Sequence, residues 1–237
     1  MLWTKEVINM FTNIGLVAHA KKALAENWKY VYGTIGQVLT ASIISQKQQQ
    51  YPNEINKHLS LIRTFIGKRT VDCVNLIKSY LWWNENKNDV AYDPKYDTVN
   101  GVPMSADGAF QIATEKGSIN TIPDIPGICV RYPGHIGVYI GNGEVIEARG
   151  TKYGVVKTKL KDRPWTHWLK YPGIEYVEGD YMFNDIQGHY AEKYIDAVAK
   201  AKIMLGDGKG NFGPNEPLTR AQFAIAICKA LNLPIEK

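Results

Sequence analysis

The feature that most restricts the fold of this chain is a run of short segments in which apolar and polar residues alternate. Four such segments follow one another between residues 128 and 160, separated by Gly or Pro; in chain order they are ICVRY, HIGVYIG, EVIEARG and GVVKTKL. Alternation with a period of two is typical of half-buried β-strands. Their close succession predicts an antiparallel meander.

The part of the chain before these strands follows the helical period instead. VDCVNLIKSYLWW, residues 71–83, predicts one helix, and the Gln-rich stretch SQKQQQYPNE is expected to separate two others. An amphipathic N-terminal helix is predicted from apolar residues at helical spacing, which are Val7, Phe11, Ile14 and Ala18. Residues 84–128 are expected to be largely loop, with a short helix near ADGAFQIATEKG. Helices followed by consecutive strands indicate an α+β domain.

The pattern changes again near residue 180. Two helices are expected there, joined by the Gly-rich turn LGDGKGNFGPNEP; they are YAEKYIDAVAKAKI and TRAQFAIAICKAL. We therefore expect two domains, residues 1–178 and 182–237. The DGKGN stretch could open a calcium loop, but the twelfth position counted from Asp207 is Leu218, where such a loop needs an acid. This excludes the calcium interpretation.

Composition excludes several classes of function. The 237 residues carry a formal charge of +5, without a Lys/Arg cluster interleaved with aromatic residues, so we expect no nucleic-acid partner. No stretch is apolar for long enough to cross a membrane, and the N-terminus does not read as a secretion signal. The cysteines, Cys73, Cys129 and Cys228, match neither a disulfide framework nor a metal-ligand spacing, and the last two read as small buried hydrophobes.

The hairpin GHIGVYIGNGEVIEARG, residues 134–150, has two possible registers. A two-residue turn would place His135 and Glu147 on opposite faces, whereas a three-residue loop, Gly141-Asn142-Gly143, places them on one face as diagonal neighbours. Only the three-residue loop collects the apolar side chains of both strands on the other face, and a one-residue slip would invert a whole strand. We therefore predict the three-residue loop. On the hairpin alone, its polar face could still be an ordinary solvated surface, with Glu147 paired to Arg149 or to a neighbouring strand.

Cys73 changes this interpretation, because it stands at the predicted start of a helix. Backbone N–H groups and the helix dipole at such a position favour the thiolate, so we expect a lowered thiol pKa. A Cys–His pair with a third polar group is a recurring nucleophile arrangement, in which the imidazole removes the thiol proton. Cys73, His135 and Glu147 supply nucleophile, base and orienting acid. His167 is a possible alternative base.

These residues resemble the NlpC/P60 family of cell-wall cysteine peptidases. VDCVNLI matches the family's Asp-Cys nucleophile motif, GHIGVYIGNG matches its histidine motif, and Glu147 stands twelve positions after His135, where the family has its third polar residue. YVYG resembles the family's upstream tyrosine element, which makes Tyr30 an oxyanion or substrate contact. The resemblance implies a papain-like α+β fold with N-terminal helices and an antiparallel sheet. It also implies cleavage of an amide bond in peptidoglycan stem peptides, without a metal or cofactor.

The C-terminal segment resembles one S-layer homology (SLH) repeat. It has the Phe-x-Asp opening at Phe183, the turn GNFGPNEPLTRAQ and a closing helix. The resemblance implies a small all-α module that binds secondary cell-wall polysaccharide, with Arg220 as the main ligand contact and Asp185 as a weaker one. From the residues alone, Arg220 is equally a helix-start residue behind a Thr219 cap. Both interpretations stay open.

The leading hypothesis is a peptidoglycan hydrolase with a Cys-His-Glu thiol mechanism, acting at the bacterial cell wall as an endolysin or autolysin. Without a readable signal peptide, we expect a cytoplasmic protein that is released as phage or prophage endolysins are, or exported by a non-classical route. One alternative is a wall-binding protein whose peptidase domain has decayed. Another is an amidase or acyltransferase on the same scaffold.

Overall fold

A computed structural model describes residues 11–84, 86–176, 183, 185–186, 189–201, 203–207 and 211–233. The chain divides into two compact units, residues 1–177 and 178–237. Among the described residues, no helix combines the length and the apolar character that crossing a membrane requires.

The helices of the first unit lie mostly before the main sheet in the chain. They are α1 (Asn13–Ala25), α2 (Ala41–Gln50), α3 (Pro52–Asn56), α4 (Leu59–Arg63), α5 (Cys73–Leu81) and α6 (Ala106–Ile112). The N-terminal helix begins later than its apolar spacing predicted, because the Thr12 side chain caps it by accepting the Gly15 N–H at 3.1 Å. Phe11 therefore precedes α1, and Val7 lies outside the described residues. The helix predicted over residues 71–83 is observed as α5.

The strands form one large sheet and several small ones. They are β1 (Lys29–Tyr30), β2 (Ile35–Val38), β3 (Arg69–Val71), β4 (Trp83–Asn84), β5 (Asp89–Val90), β6 (Thr98–Val99), β7 (Val102–Pro103), β8 (Lys116–Ser118), β9 (Cys129–Tyr132), β10 (His135–Tyr139), β11 (Glu144–Ala148), β12 (Val155–Lys159) and β13 (His167–Leu169). The large sheet is antiparallel and has the order β12-β11-β10-β9-β13-β8. Its first four strands are the predicted meander, and the first unit mixes helices and sheets as an α+β domain does.

The hairpin of β10 and β11 has the predicted three-residue loop. Val138 lies opposite Ile146, and the Ile140 N–H donates to the Glu144 carbonyl at 2.9 Å. Asn142 in the loop has a φ of +53°, in the left-handed region that Asn tolerates better than most residues. The register prediction is confirmed.

One face of the large sheet carries the main core. Helices α1 and α5 pack on β10 and β11, and the buried apolar side chains between them include Leu16, Val17, Ala20, Leu76, Ile77, Ile136, Val138, Ile146 and Ala148. Fully burying a Leu or Ile side chain contributes about 1.5–3 kcal/mol, so this layer fixes where α5 begins relative to β10.

Helices α2 to α4 form an inserted segment with a core of its own. This core consists of Val31, Leu39, Ile44, Ile55, Ile62 and Phe65. These helices lie between Tyr30 and Cys73 in the chain and account for most of the sequence that separates them. The predicted break between two helices falls inside the Gln-rich stretch, at Tyr51 before Pro52, although the glutamines themselves belong to α2.

The described elements of the second unit are α7 (Glu192–Lys200) and α8 (Arg220–Leu231). A small apolar cluster lies in this unit and contains Phe183, Ile186, Ile195 and Ala199. The Thr219 side chain accepts the Gln222 N–H at 3.2 Å and completes a capping box at the start of α8. Cys129 is fully buried, but Cys228 on α8 is only half-buried, so the expectation of a buried residue is wrong for Cys228.

Candidate active site

His135 and Glu147 meet on the face of the large sheet opposite α1 and α5. The His135 Nε2 atom lies 2.8 Å from Glu147 Oε2, as the register predicted. The alternative of a solvated face is wrong, because Glu147 is 0% exposed and His135 is 8% exposed. The Trp165 ring stacks on the imidazole, with centroids 5.7 Å apart and an interplanar angle of 13°.

Glu147 is held as a buried carboxylate by several donors. Arg163 donates from Nε to Oε1 at 2.7 Å and from Nη2 to Oε2 at 3.0 Å, and the Thr158 hydroxyl donates to Oε1 at 3.0 Å. Burial acts to raise the pKa of Glu147, but the hydrogen bonds from His135 and Arg163 outweigh it and lower this pKa to about 2. Arg149, the pairing partner considered from the sequence, lies instead over the Tyr153 ring at 4.3 Å.

Cys73 is the first residue of α5, as predicted, and its sulfur lies beside the start of β10. The thiol donates to the Gly134 carbonyl at 4.0 Å, one residue before His135. Within the described part of the chain, the thiol hydrogen bond goes to this carbonyl rather than to the imidazole. The Cys73 sulfur thus contacts the backbone next to His135, whose imidazole is bonded to Glu147.

The expected lowering of the Cys73 pKa is wrong for this resting arrangement. Burial raises the pKa of the thiol to about 12, and the charge of Asp72 adds to the rise. The backbone N–H groups of Val74, Ile136 and Cys73 itself act in the opposite direction, as a helix start should, but they do not overcome burial. At neutral pH the sulfur is therefore a thiol until a base removes its proton.

Asp72 connects the start of α5 to the loop before β2. As the N-cap of α5, it accepts the Asn75 N–H at 2.9 Å, and its other oxygen accepts the Gly33 N–H at 3.0 Å. Gly33 has a φ of +77°, and a Cβ there would lie 2.4 Å from the Tyr51 ring. The loop therefore fits between Asp72 and the inserted helices only with glycine at position 33.

Tyr30 lies on β1, opposite Val71 in the parallel pairing with β3. Burial raises the pKa of its phenol above the ordinary value, and the charges of Cys73 and Asp72 add to this. A phenol kept neutral can donate a hydrogen bond, and Tyr30 lies opposite Val71, two residues before Cys73 in the chain. The pKa of the exposed Tyr32 is also raised, mainly by burial and further by Asp72 and Cys73.

His167, the alternative base, lies away from this cluster. It belongs to β13, which is separated from β10 by β9. Its Nδ1 atom is 3.0 Å from the Thr166 hydroxyl, and its ring lies 4.9 Å from the Phe110 ring. Among the described residues, no group of three or more His, Cys, Asp or Glu side chains could hold a metal ion.

Sequence reasoning missed Thr158, Arg163 and Trp165, which contact His135 or Glu147, and Asp107, whose carboxylate accepts the Gly134 N–H. Thr158 had a usable signal, because Glu147 lies opposite Val156 in the register with β12 and Thr158 is two residues further along the same face. Arg163 follows a 3₁₀ turn, Leu160–Asp162, so strand periodicity does not reach it. The remaining clue was general: a buried carboxylate requires a cationic partner.

In the second unit, the two predicted wall-binding residues have different surroundings. Arg220 is the exposed first residue of α8, behind the Thr219 cap. Asp185 accepts the N–H groups of Phe212 and Gly213, each at 2.7 Å, so its carboxylate holds a turn. A cavity of about 810 Å³ in this unit has Asp185, Gln222 and Lys229 in its lining.

The C-terminal segment matches a known family model. Residues 183–224 match the S-layer homology domain. An uncharacterized cell wall amidase of Bacillus anthracis is 43% identical over 51 residues, which are 22% of this chain and 10% of that protein. S-layer protein EA1 of the same organism is 32% identical over 128 residues, 54% of this chain and 12% of that protein. The chain thus spans about a tenth of the length of these relatives.

The solved structures similar to this chain include NlpC/P60 proteins. NlpC2 from Trichomonas vaginalis matches with a TM-score of 0.38 and 17% identity, over 70% of this chain and 49% of that one. The NlpC/p60 domain of the peptidoglycan hydrolase SagA matches with a TM-score of 0.36 and 15% identity, over 67% of this chain and 98% of that one.

Proposed function

We propose that this protein is a peptidoglycan hydrolase that cleaves an amide bond in the stem peptide with the Cys73 thiol. In this proposal residues 1–178 are the catalytic domain and residues 182–237 bind the cell wall. The observation that carries the chemistry is the 2.8 Å bond between His135 and Glu147, made beside the Cys73 sulfur at a helix start. A hydrogen-bonded base next to a nucleophile is the arrangement that acyl transfer to sulfur requires.

The first half of the reaction forms a thioester. His135 donates Nε2–H to Glu147, which leaves Nδ1 free to accept the Cys73 proton when a substrate arrives. The sulfur then attacks the amide carbonyl. The developing oxyanion would be stabilised by the Cys73 N–H at the start of α5, with the Tyr30 hydroxyl as a second donor.

Loss of the amine completes the thioester, and the second half of the reaction then regenerates the thiol. His135 returns its proton to the leaving amine, which departs and leaves the acyl group on Cys73. Water, deprotonated by His135, attacks the thioester and releases the carboxylic acid. The proton on His135 then returns to the sulfur. Every proton in this sequence passes through the imidazole, so no metal or cofactor is needed.

The wall as substrate is supported by the second unit. Its match to the S-layer homology domain favours binding to secondary cell-wall polysaccharide, with Arg220 as the first candidate contact. Asp185 is the weaker candidate, since both of its oxygens accept backbone N–H groups. We accordingly place the protein at the bacterial cell wall, in an endolysin or autolysin role.

The experiment that tests this proposal incubates purified peptidoglycan with the wild type, Cys73→Ala and Cys228→Ala. Cys228 lies in the second unit, so its variant controls for loss of a thiol as such. We expect split stem peptides by mass spectrometry with wild type and Cys228→Ala only. Cleavage that survives Cys73→Ala would refute the thiol mechanism.

One observation favours a second candidate, a wall-binding protein without peptidase activity. Burial raises the pKa of the Cys73 thiol to about 12, which is the opposite of what an activated nucleophile shows at rest. Sedimentation of the protein with cell walls, weakened by Arg220→Ala and without any cleavage, would favour this candidate. Transfer of the acyl group to an added amine instead of water would indicate an acyltransferase.

A further inference from the structure

The Glu147 carboxylate pairs with Arg163 on the face that carries His135. Arg163 donates two hydrogen bonds to the fully buried Glu147, and its own side chain is 14% exposed. Removing both charges from water is costly and is offset only when the geometry is good and the remaining hydrogen-bonding positions are filled. A planar guanidinium bound through two nitrogens to both carboxylate oxygens satisfies that condition.

We propose that Arg163 is a positioning residue of the thiol site, which acts through Glu147 by cancelling its charge and fixing its rotation. This inference rests on the proposed function. Arg163 lies outside the Cys-His-Glu set. It keeps Glu147 ionised, so that Glu147 can serve as the third member of that set.

The hydrogen bonds explain how the rotation is fixed. Oε1 accepts from Arg163 Nε and from Thr158, while Oε2 accepts from Arg163 Nη2 and faces His135 Nε2. Because the guanidinium holds both oxygens, the carboxylate cannot turn Oε2 away from the imidazole. Arg163 Nη2 also donates to the Tyr132 hydroxyl at 3.1 Å, which fixes the guanidinium itself.

The same two aromatic rings flank the base and the arginine. The Tyr132 and Trp165 rings lie 5.0 and 5.7 Å from the His135 ring. The Arg163 guanidinium lies 5.8 and 5.7 Å from these rings. The two aromatic rings thus contact both the imidazole and the guanidinium and limit the access of water to the ion pair.

The charge explains why an acid at this position needs a partner. Without Arg163, burial would favour the protonated form of Glu147. A protonated carboxyl can donate to Nε2 of His135, and the imidazole would then carry its proton on Nδ1. In that tautomer it could not accept the Cys73 proton. Among the residues that the structure describes, the groups that bond Glu147 and can carry charge are His135 and Arg163, with the Tyr132 phenol behind the arginine.

The test compares Arg163→Gln, Glu147→Gln and the double variant on purified peptidoglycan. General-base catalysis as a whole is worth about 10²- to 10⁴-fold. Because each single variant keeps the His135 base and loses only part of its positioning, we expect a loss of about 10- to 100-fold in kcat/KM. The double variant should be more active than either single one, because two neutral amides leave no buried charge unpaired. The acid limb of the pH profile should move to higher pH in Arg163→Gln. Lys157→Gln, which breaks an exposed pair with Glu144 on the same hairpin, is the matched control.

Independent losses that multiply in the double variant, together with an unmoved acid limb, would overturn the proposal. A second readout separates this result from failure of the proposed function. Imidazole ¹⁵N NMR at neutral pH should show Nε2–H on His135 in the wild type and a shift toward Nδ1–H in Arg163→Gln. If wild type does not cleave peptidoglycan, the proposed function fails, and an unchanged tautomer in Arg163→Gln would refute the role of Arg163 as well.

Discussion

The carboxylate of Asp107 accepts the Gly134 N–H with both of its oxygens, each at 3.1 Å. Gly134 directly precedes His135, and its carbonyl accepts the Cys73 thiol. Arg131 forms an ion pair with the same carboxylate. An acid near the start of α6 therefore anchors the turn that contacts the Cys73 thiol and directly precedes His135.

Asp107→Ala should lower kcat about tenfold or more, because small displacements of positioned groups can cost about 10²-fold. The Asp107 side chain is 58% exposed, but its partner Arg131 is only 9% exposed and would be left unpaired, so we expect the free energy of unfolding to fall by about 1–3 kcal/mol. Steady-state kinetics and urea unfolding measure the two effects separately. Asp107→Asn, which keeps one acceptor oxygen, should recover part of kcat. Equal losses in both variants would count against an anchoring role for the carboxylate.

Gly137→Ala should destabilise the first unit by about 1–3 kcal/mol, the usual cost of overpacking a core. A Cβ at Gly137 would lie 2.9 Å from a Val145 methyl, 3.1 Å from the Trp165 ring and 3.2 Å from Glu147 Cβ. Thermal unfolding measures the change. Gly134→Ala has open space around its Cβ but a φ of +79°, so it separates backbone strain from crowding. A Gly137→Ala variant as stable as wild type would show that Trp165 can move aside.

Glu147 should make the protein acid-sensitive. Its folded pKa of about 2 lies below the ordinary 4.5, so it contributes stability above pH 4.5 that is lost as the pH falls toward 2. The difference corresponds to about 3 kcal/mol. Urea unfolding between pH 6 and pH 2.5 should show this loss in wild type and a smaller one in Glu147→Gln. Parallel pH curves for the two proteins would contradict the lowered pKa.

The resting Cys73 thiol should react slowly with iodoacetamide at neutral pH. With a pKa of about 12, its thiolate fraction and its alkylation rate should rise about tenfold per pH unit between pH 7 and pH 10. Mass spectrometry of peptides containing Cys73 measures the rate, and urea-unfolded protein supplies the reference for a thiol in water. A rate at pH 7 equal to that of the unfolded chain would mean that burial does not protect the sulfur.

The hairpin could be predicted from the sequence because strand parity leaves one register in which Ile136, Val138 and Ile146 share a face. That register also placed His135 beside Glu147 without further information. The start of α5 at Cys73 could be predicted too, since Asp72 is a preferred N-cap residue. These are local rules, in which neighbours along the chain determine the outcome.

The thiol pKa and the role of Arg163 depend on three-dimensional packing and could not be predicted in the same way. The helix start alone favours a lowered pKa for Cys73, but burial raises it more than the N–H groups lower it. Arg163 reaches Glu147 from beyond a 3₁₀ turn, at a separation of 16 residues. The burial of Glu147 could not be predicted from the sequence either. Trp165 covers that face of the sheet, and it lies in a segment without strand periodicity.

The two ends of the segment that contains helices α2 to α4 are hydrogen-bonded to each other. The Leu39 N–H donates to the Lys68 carbonyl at 2.8 Å, and the Gly67 N–H donates to the Leu39 carbonyl at 2.9 Å. Since the two ends are neighbours and most of the segment's buried side chains pack on one another, a change in its length need not shift β2 or β3. The Tyr51 ring, between α2 and α3, lies against Gly33, and the Gly33 N–H donates to the Asp72 carboxylate. A structural change inside this segment can therefore reach the Asp72 carboxylate through Tyr51 and Gly33 without passing through the large sheet.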